Sequence, residues 1–114
     1  MERFTTRVEL HHTLSGEYQI LHEEMELRGF IRTIIIGKVK YHLPHAEYNY
    51  EKKKEITTTK VRSIAIEACR EAVKRIYKKK GKSVSPEQID KLFSILVTKA
   101  GDDRRIHNLI PVKD

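Results

Sequence analysis

The stretch Arg3-Phe4-Thr5-Thr6-Arg7-Val8-Glu9-Leu10-His11-His12 decides the fold of this chain. Its side chains alternate with a period of two, and the side expected to face the core is formed by Phe4, Thr6, Val8 and Leu10. The opposite side carries Arg3, Thr5, Arg7, Glu9 and His11. Thr and Val suit a pleated strand, and no Pro or Gly interrupts the run. The pattern therefore predicts a half-buried strand with an apolar back and a charged front.

The composition predicts a single domain spanning residues 1–114, since 114 residues is close to the common domain size. The one cysteine, Cys69, has no partner in the chain for a disulfide, which favours a reducing cytoplasmic setting. The longest apolar run, at 34–36, is far too short to cross a bilayer, so no membrane association is predicted. The net charge of +7 and the lysine runs at 52–54 and 78–80 favour a polyanionic partner.

The order of elements follows from helix and turn signals along the chain. A first helix is expected from an N-cap at Ser15 to a stop at Gly29, and a longer one from Thr57 to Gly81. Ser85-Pro86 starts a short helix over 86–91. Strands are predicted over 30–36, 39–43 and 92–98, with residues 104–112 as a C-terminal edge strand ending at Pro111. Residues 45–50 read as a strand extension or an ordered loop.

Strand, helix, strand, strand, helix, strand is the order of a ferredoxin-like α+β sandwich, βαββαβ, with two main helices on one face of an antiparallel sheet. Right-handed crossovers place the first strand and the strand at 39–43 in the middle of that sheet. The near-continuous isoleucines at 34–36 suit a strand buried on both faces. This fold carries many functions, so it does not assign one.

Motifs for metal or nucleophilic chemistry are not found. His11 and His12 are adjacent, so on a strand they point to opposite faces and do not share one ion. Cys69 follows the apolar pattern of the long helix, which is typical of a buried thiol. No glycine-rich phosphate loop occurs. We therefore predict no metal site and no cofactor.

A nucleic acid is the partner that the residues favour. Tyr41 and Tyr48 lie close in sequence to lysines, and aromatic rings on a sheet can stack on unpaired bases while lysines neutralise phosphates. The phase of Tyr41, shared with Val39 and Leu43, also fits a ring turned toward the helices. The paired aromatic motifs of an RNA-recognition domain are absent.

A resemblance to a known family sharpens this expectation. Its motifs are Arg3-Phe4-Thr5-Thr6-Arg7-Val8-Glu9-Leu10-His11, Tyr18-x-x-Leu21-His22-x-x-Met25-Glu26-x-x-Gly29-Phe30-x-Arg32-Thr33-Ile34 and Tyr41-His42-Leu43-Pro44-x-Ala46-Glu47-Tyr48-Asn49-Tyr50, with Phe93-Ser94-Ile95-Leu96-Val97-Thr98 as a last core strand. Together they resemble the GhoS family, which includes the antitoxin of type V toxin–antitoxin systems. The resemblance covers about residues 3–50 and 92–110, and the segment 75–91 is longer than in the relatives.

The resemblance implies a ferredoxin-like homodimer, similar to small CRISPR-associated endoribonucleases, that cleaves the messenger RNA of a membrane toxin. The strand aspartate that helps those CRISPR-associated enzymes bind metal has no counterpart here, since Glu9 or His11 stands in its neighbourhood. By its offset from the aromatic residue that follows the helix, the helix arginine implicated in GhoS activity falls on His22, and the implicated aromatic falls near Tyr41. A histidine can act as general base on a ribose 2′-hydroxyl. A second interpretation of His22 is a helix-edge histidine with a backbone partner.

These arguments lead to a set of expected site residues. Proton transfer is assigned to His22 or His11, without a metal. RNA contacts are assigned to Arg7, Arg32, Tyr41, Tyr48, Lys52, Lys53 and Lys54. The alternative function is a non-catalytic protein–protein interaction module of phage or plasmid type, in which the charge only gives solubility. Salt separates the two, because phosphate binding weakens steeply as salt rises.

Overall fold

The computed structural model describes residues 1–11, 14, 16–101 and 104–113. It confirms the predicted α+β class and ferredoxin-like arrangement, with an antiparallel sheet, two main helices and a short third helix. The elements in chain order are β1 (Glu2–Leu10), α1 (Tyr18–Leu27), β2 (Thr33–Ile36), β3 (Val39–His42), β4 (Glu47–Lys52), α2 (Thr58–Lys79), α3 (Pro86–Ile89) and β5 (Phe93–Ala100). Within the described residues, every helix is too short or too polar to span a bilayer.

Strand β1 is the centre of the main sheet, whose order is β4-β1-β5. Both neighbours run antiparallel to it, so that Thr6 lies opposite Tyr48 on one side and Val97 on the other. The predicted alternation is confirmed, because Phe4, Thr6, Val8 and Leu10 are all buried. Their side of the strand contributes to a core shared with α1 and α2.

The strand beside β1 is β4, not the segment 39–43 that the sequence pattern predicts there. Strands β2 and β3 form a separate two-stranded hairpin, which joins the main sheet through a bridge between Ile31 and Asn49. β4 lies directly beside β1, and Tyr48, Asn49 and Tyr50 are all buried there despite their polar atoms. The isoleucine run is therefore not buried on both faces, and Ile35 is 62% exposed.

Local signals set most of the helix ends. Gly29 has a φ of 91°, a left-handed conformation that ends α1 where the sequence predicts. Thr57 caps α2 by accepting a hydrogen bond from the backbone N–H of Lys60 at 3.1 Å. The predicted N-cap at Ser15 lies outside the described residues. Helix α3 ends at Ile89, two residues before the predicted end.

The C-terminal segment lies along β3 but forms a single bridge, between Tyr41 and Pro111, in place of the predicted edge strand. Backbone hydrogen bonds join His42 to Ile110 and Val112 to Lys40. The two bonds flank Pro111, which therefore sits at a non-hydrogen-bonded position of the pairing, where a residue without an N–H is tolerated.

Candidate nucleic-acid interface

His22 lies on α1 and forms a hydrogen bond with a side chain of the main sheet. Its Nδ1 atom shares a hydrogen bond of 2.6 Å with the Tyr48 hydroxyl of β4. The two rings are edge-on, with centroids 5.7 Å apart. The second interpretation of His22 expected a backbone group as its hydrogen-bond partner, but the partner is the side chain of Tyr48. Nδ1 is held by Tyr48, and Nε2 is the ring nitrogen that does not contact Tyr48.

The surroundings of His22 favour its neutral form. Burial is the main cause that lowers its pKa from 6.5 to about 4, and the charges of Arg32 and His45 lower it further. Burial also raises the pKa of the Tyr48 hydroxyl, with a smaller contribution from Cys69, so the phenol keeps its proton. At neutral pH the pair is thus an uncharged imidazole next to an uncharged phenol.

A second histidine, His45, packs against the first. The His22 and His45 rings are edge-on with centroids 5.9 Å apart, and the His45 ring contacts Tyr18 edge-on at 4.3 Å. The Tyr18 hydroxyl in turn accepts a hydrogen bond from the backbone N–H of Leu10 at 3.0 Å. The turn that carries His45 contains Ala46 with a φ of 64°, an uncommon conformation for a non-glycine residue.

An open groove of about 490 Å³ lies between α1 and the β2–β3 hairpin. Its α1 wall is formed by Gln19, His22 and Glu26, which share one helix face because they are spaced three and four residues apart. Its hairpin wall contains the cationic or titratable side chains Arg32, Lys40 and His42. The remaining lining residues are Phe30, Ile31 and Thr33.

The hairpin explains why those side chains project together. Lys40 and His42 are two residues apart on β3, so they point to the same face, and His42 lies opposite Thr33 on β2. Arg32 immediately precedes β2 and is exposed, as are Lys40 and His42. The groove therefore brings the predicted residues His22 and Arg32 close to two further basic side chains, those of Lys40 and His42.

The other predicted catalytic residue, His11, is outside this groove. Its Nε2 atom lies 2.7 Å from the Ser94 hydroxyl, and its Nδ1 atom lies 3.3 Å from the Glu9 carboxylate. These contacts hold it at the end of β1, against β5. The structure does not bring His11 and His22 into one groove.

The predicted RNA-binding residues are also dispersed. Arg7 is exposed on the sheet face opposite the helices, in register with Glu47 and Leu96. Tyr41 is half-buried and follows the opposite phase of β3 from Lys40 and His42. The exposed lysines 52–54 are at the far end of β4 and do not line the groove.

Tyr48 does not fit its predicted role as a base-stacking residue. Its side chain is 0% exposed, so neither face of the ring is open to a base. Its observed contact is the hydrogen bond to His22. The prediction that Tyr48 stacks on a base is therefore wrong, and Tyr48 orients His22 instead.

The described part of the chain contains neither a reactive thiol nor a group of side chains that could bind a metal ion. Cys69 is buried in the core, and burial raises the pKa of its thiol to about 12, which keeps it protonated and unreactive. Across residues 1–11, 14, 16–101 and 104–113, no three His, Cys, Asp or Glu side chains converge as metal ligands.

Sequence reasoning missed His45, His42, Lys40, Gln19 and Glu26 as members of this region. The spacing of Gln19, His22 and Glu26 is a signal that could have grouped the α1 wall. His45 gives no such signal, because it reaches His22 only through the turn before β4.

Comparisons with known proteins return no match: no family model, no curated protein and no solved structure is significantly similar to this chain.

Proposed function

We propose that this chain is a GhoS-like endoribonuclease that binds and cleaves single-stranded RNA without a metal. The observation that carries the proposal is the ring contact of His45 with His22, which itself lines a groove together with Arg32, Lys40 and His42. A histidine held neutral beside a second, exposed histidine supplies the base and the acid that proton transfer in RNA cleavage requires. The resemblance to the GhoS family supports a messenger RNA as the substrate and an antitoxin role.

His22 is the general base of the proposed reaction. With the proton on Nδ1 donated to the Tyr48 oxygen, Nε2 carries the free lone pair. A pKa of about 4 keeps this nitrogen unprotonated at neutral pH. Nε2 takes the proton of the ribose 2′-hydroxyl, and the oxygen attacks the adjacent phosphorus. Attack forms a 2′,3′-cyclic phosphate, and the bond from phosphorus to the 5′-oxygen breaks.

His45 is the general acid, which gives a proton to the departing 5′-oxygen. Its ring is exposed, and its contact with Tyr18 holds it beside His22. Arg32, Lys40 and His42 face the phosphates, since their wall of the groove is basic. A guanidinium can bond two phosphate oxygens at once, which suits Arg32 to the scissile group.

The test is cleavage of a labelled single-stranded RNA in EDTA by the wild type and by His22→Gln and His45→Gln. Each substitution should lower the cleavage rate by about 10²- to 10⁴-fold, the usual contribution of a general acid or base. RNA binding, followed by fluorescence anisotropy, should change little. His107→Gln is the matched control, because His107 is exposed and does not line the groove.

Two results would contradict the proposal. If both histidine variants cut RNA at the wild-type rate, the pair does not transfer protons. If the wild type neither binds nor cuts RNA at low salt, the chain is better described as a protein–protein interaction module.

A further inference from the structure

One acidic side chain stands in the otherwise basic groove. Glu26 lines the groove from α1, facing the region between that helix and the wall of Arg32, Lys40 and His42. A carboxylate repels phosphate, so this position lowers affinity for a polyanion unless it meets another part of the ligand. The hydrogen-bond donors of RNA are the ribose 2′-hydroxyl and the N–H groups of the bases, and only a base can present two adjacent N–H groups to one carboxylate.

The other two glutamates in this part of α1, unlike Glu26, form ion pairs within the protein. Glu23 and Glu24 both form ion pairs with Arg75 of α2 at 2.8 Å, which ties the two helices together. Glu24 is further bonded to Arg28 at 3.0 Å. Among the described residues, the Glu26 side chain forms no ion pair or hydrogen bond. Its carboxylate is thus available to a ligand.

Its place on the helix also disfavours a purely structural role. Glu26 lies in the last turn of α1, where the helix dipole is negative and an acidic side chain is destabilising. Ile31, which is 43% exposed, lines the same groove and offers an apolar surface to the flat face of a base. Apolar contact and a carboxylate therefore lie on the same groove as the phosphate-facing cations.

We propose that Glu26 selects an unpaired guanine, an inference that rests on the proposed function and adds a base preference to it. Guanine presents two adjacent donors, N1–H and N2–H, which match the two oxygens of a carboxylate. Adenine and cytosine each place a ring acceptor next to their amino group, and uracil flanks its single N–H with two carbonyls. Each of these bases sets an acceptor against the second carboxylate oxygen, which is repulsive.

The test measures binding of 2′-O-methyl oligonucleotides, which lack the 2′-hydroxyl and are not cut. Five decamers of uridine carry guanine, inosine, adenine, cytosine or uracil at one central position. The wild type should bind the guanine decamer most tightly. Inosine lacks the N2 amino group, so its decamer should bind about tenfold more weakly, the effect of removing one charged hydrogen bond.

Glu26→Gln should abolish this preference in a recognisable way. Binding of the guanine decamer should weaken, and binding of the all-uridine decamer should tighten, because a repulsive charge has been removed. Glu23→Gln is the matched control, since it removes the same charge from the same helix outside the groove lining. It should leave the ranking of the decamers intact.

The possible failures are distinguishable. Equal binding of all five decamers by the wild type, or a guanine preference that survives in Glu26→Gln, overturns the role of Glu26 and leaves RNA cleavage standing. If the wild type binds no decamer at low salt and also leaves single-stranded RNA uncut, the proposed function fails, and this inference fails with it.

Discussion

The Nδ1 atom of His22 on α1 lies 2.6 Å from the hydroxyl of Tyr48 on β4, so one hydrogen bond couples the proposed base to the centre of the fold. Tyr48 is completely buried and stands next to β1 in the sheet. The orientation of the His22 ring is therefore fixed by the core and not by the exposed surface. A change at Tyr48 should reach catalysis through His22.

Tyr48→Phe should separate catalysis from binding. The variant keeps the ring but removes the partner of Nδ1, so stability should fall by about 1 kcal/mol, the usual effect of one hydrogen bond. The cleavage rate should fall while the affinity for RNA stays close to wild type. Urea unfolding and anisotropy measure these quantities. Tyr50→Phe, two residues along β4, is the control; a cleavage rate in Tyr48→Phe equal to that of this control would contradict the orienting role.

The lowered pKa of His22 makes stability depend on pH. The unfolded chain binds a proton at His22 near pH 6.5, whereas the folded chain resists it down to about pH 4. Between these values the unfolded state holds more protons, so the free energy of unfolding falls as pH falls. The loss should be on the order of 1–3 kcal/mol by pH 4, since each unit corresponds to about 1.4 kcal/mol and partial exposure reduces the effect.

His22→Gln isolates this contribution, because glutamine does not titrate. Urea unfolding at pH 7.5 and pH 4.5 should show a smaller acid-induced loss in the variant than in the wild type. An identical loss in both proteins would show that the folded state does not resist protonation of His22.

Salt dependence should show which lysines and arginines hold phosphates. For single-stranded RNA, the slope of log affinity against log salt should change by about 0.7 for each phosphate that the protein no longer neutralises. Arg32→Gln and Lys40→Gln should each flatten the slope by about that amount. Lys53→Gln, in the run beyond β4, should have little effect. A larger change for Lys53→Gln than for Lys40→Gln would move the RNA path away from the groove.

Gly29→Ala tests the turn that carries the chain from α1 into the groove. The residue has a φ of 91°, and a Cβ there would lie 3.4 Å from Cε1 of Tyr50. The left-handed conformation should cost about 1–2 kcal/mol in stability. Gly101→Ala, where a Cβ meets nothing within 4 Å, should stay within about 0.5 kcal/mol of wild type by thermal or urea unfolding. Equal effects at both glycines would contradict the role of Gly29.

The parts of the fold that the sequence predicts correctly are those set by local patterns. The alternation in β1 identifies its buried side, and Gly29 and Thr57 mark helix ends through conformation and capping. The position of β4 is not predictable in this way. Its sequence is rich in polar residues, and the burial of Tyr48, Asn49 and Tyr50 arises from pairing with β1, which is distant in sequence.

The residues of the candidate site likewise fall into those that the sequence predicts and those that only the tertiary structure reveals. His22 is found through the family resemblance, and its proximity to Arg32 follows from the short connection after α1. His45 and the hairpin residues Lys40 and His42 are brought to His22 by tertiary structure alone. The predicted stacking role of Tyr48 is wrong because tyrosine is compatible with both stacking and burial, and the sequence pattern does not distinguish them.

The most direct test of the account is the chemistry of the cut. A single-stranded RNA and its fully 2′-O-methylated counterpart are incubated with the protein in EDTA, and the product ends are identified by mass spectrometry. Attack by the 2′-hydroxyl predicts 2′,3′-cyclic phosphate and 5′-hydroxyl ends from the RNA and no cleavage of the methylated strand. Equal cleavage of both strands, or no cleavage of either, would contradict proton transfer by His22 and His45.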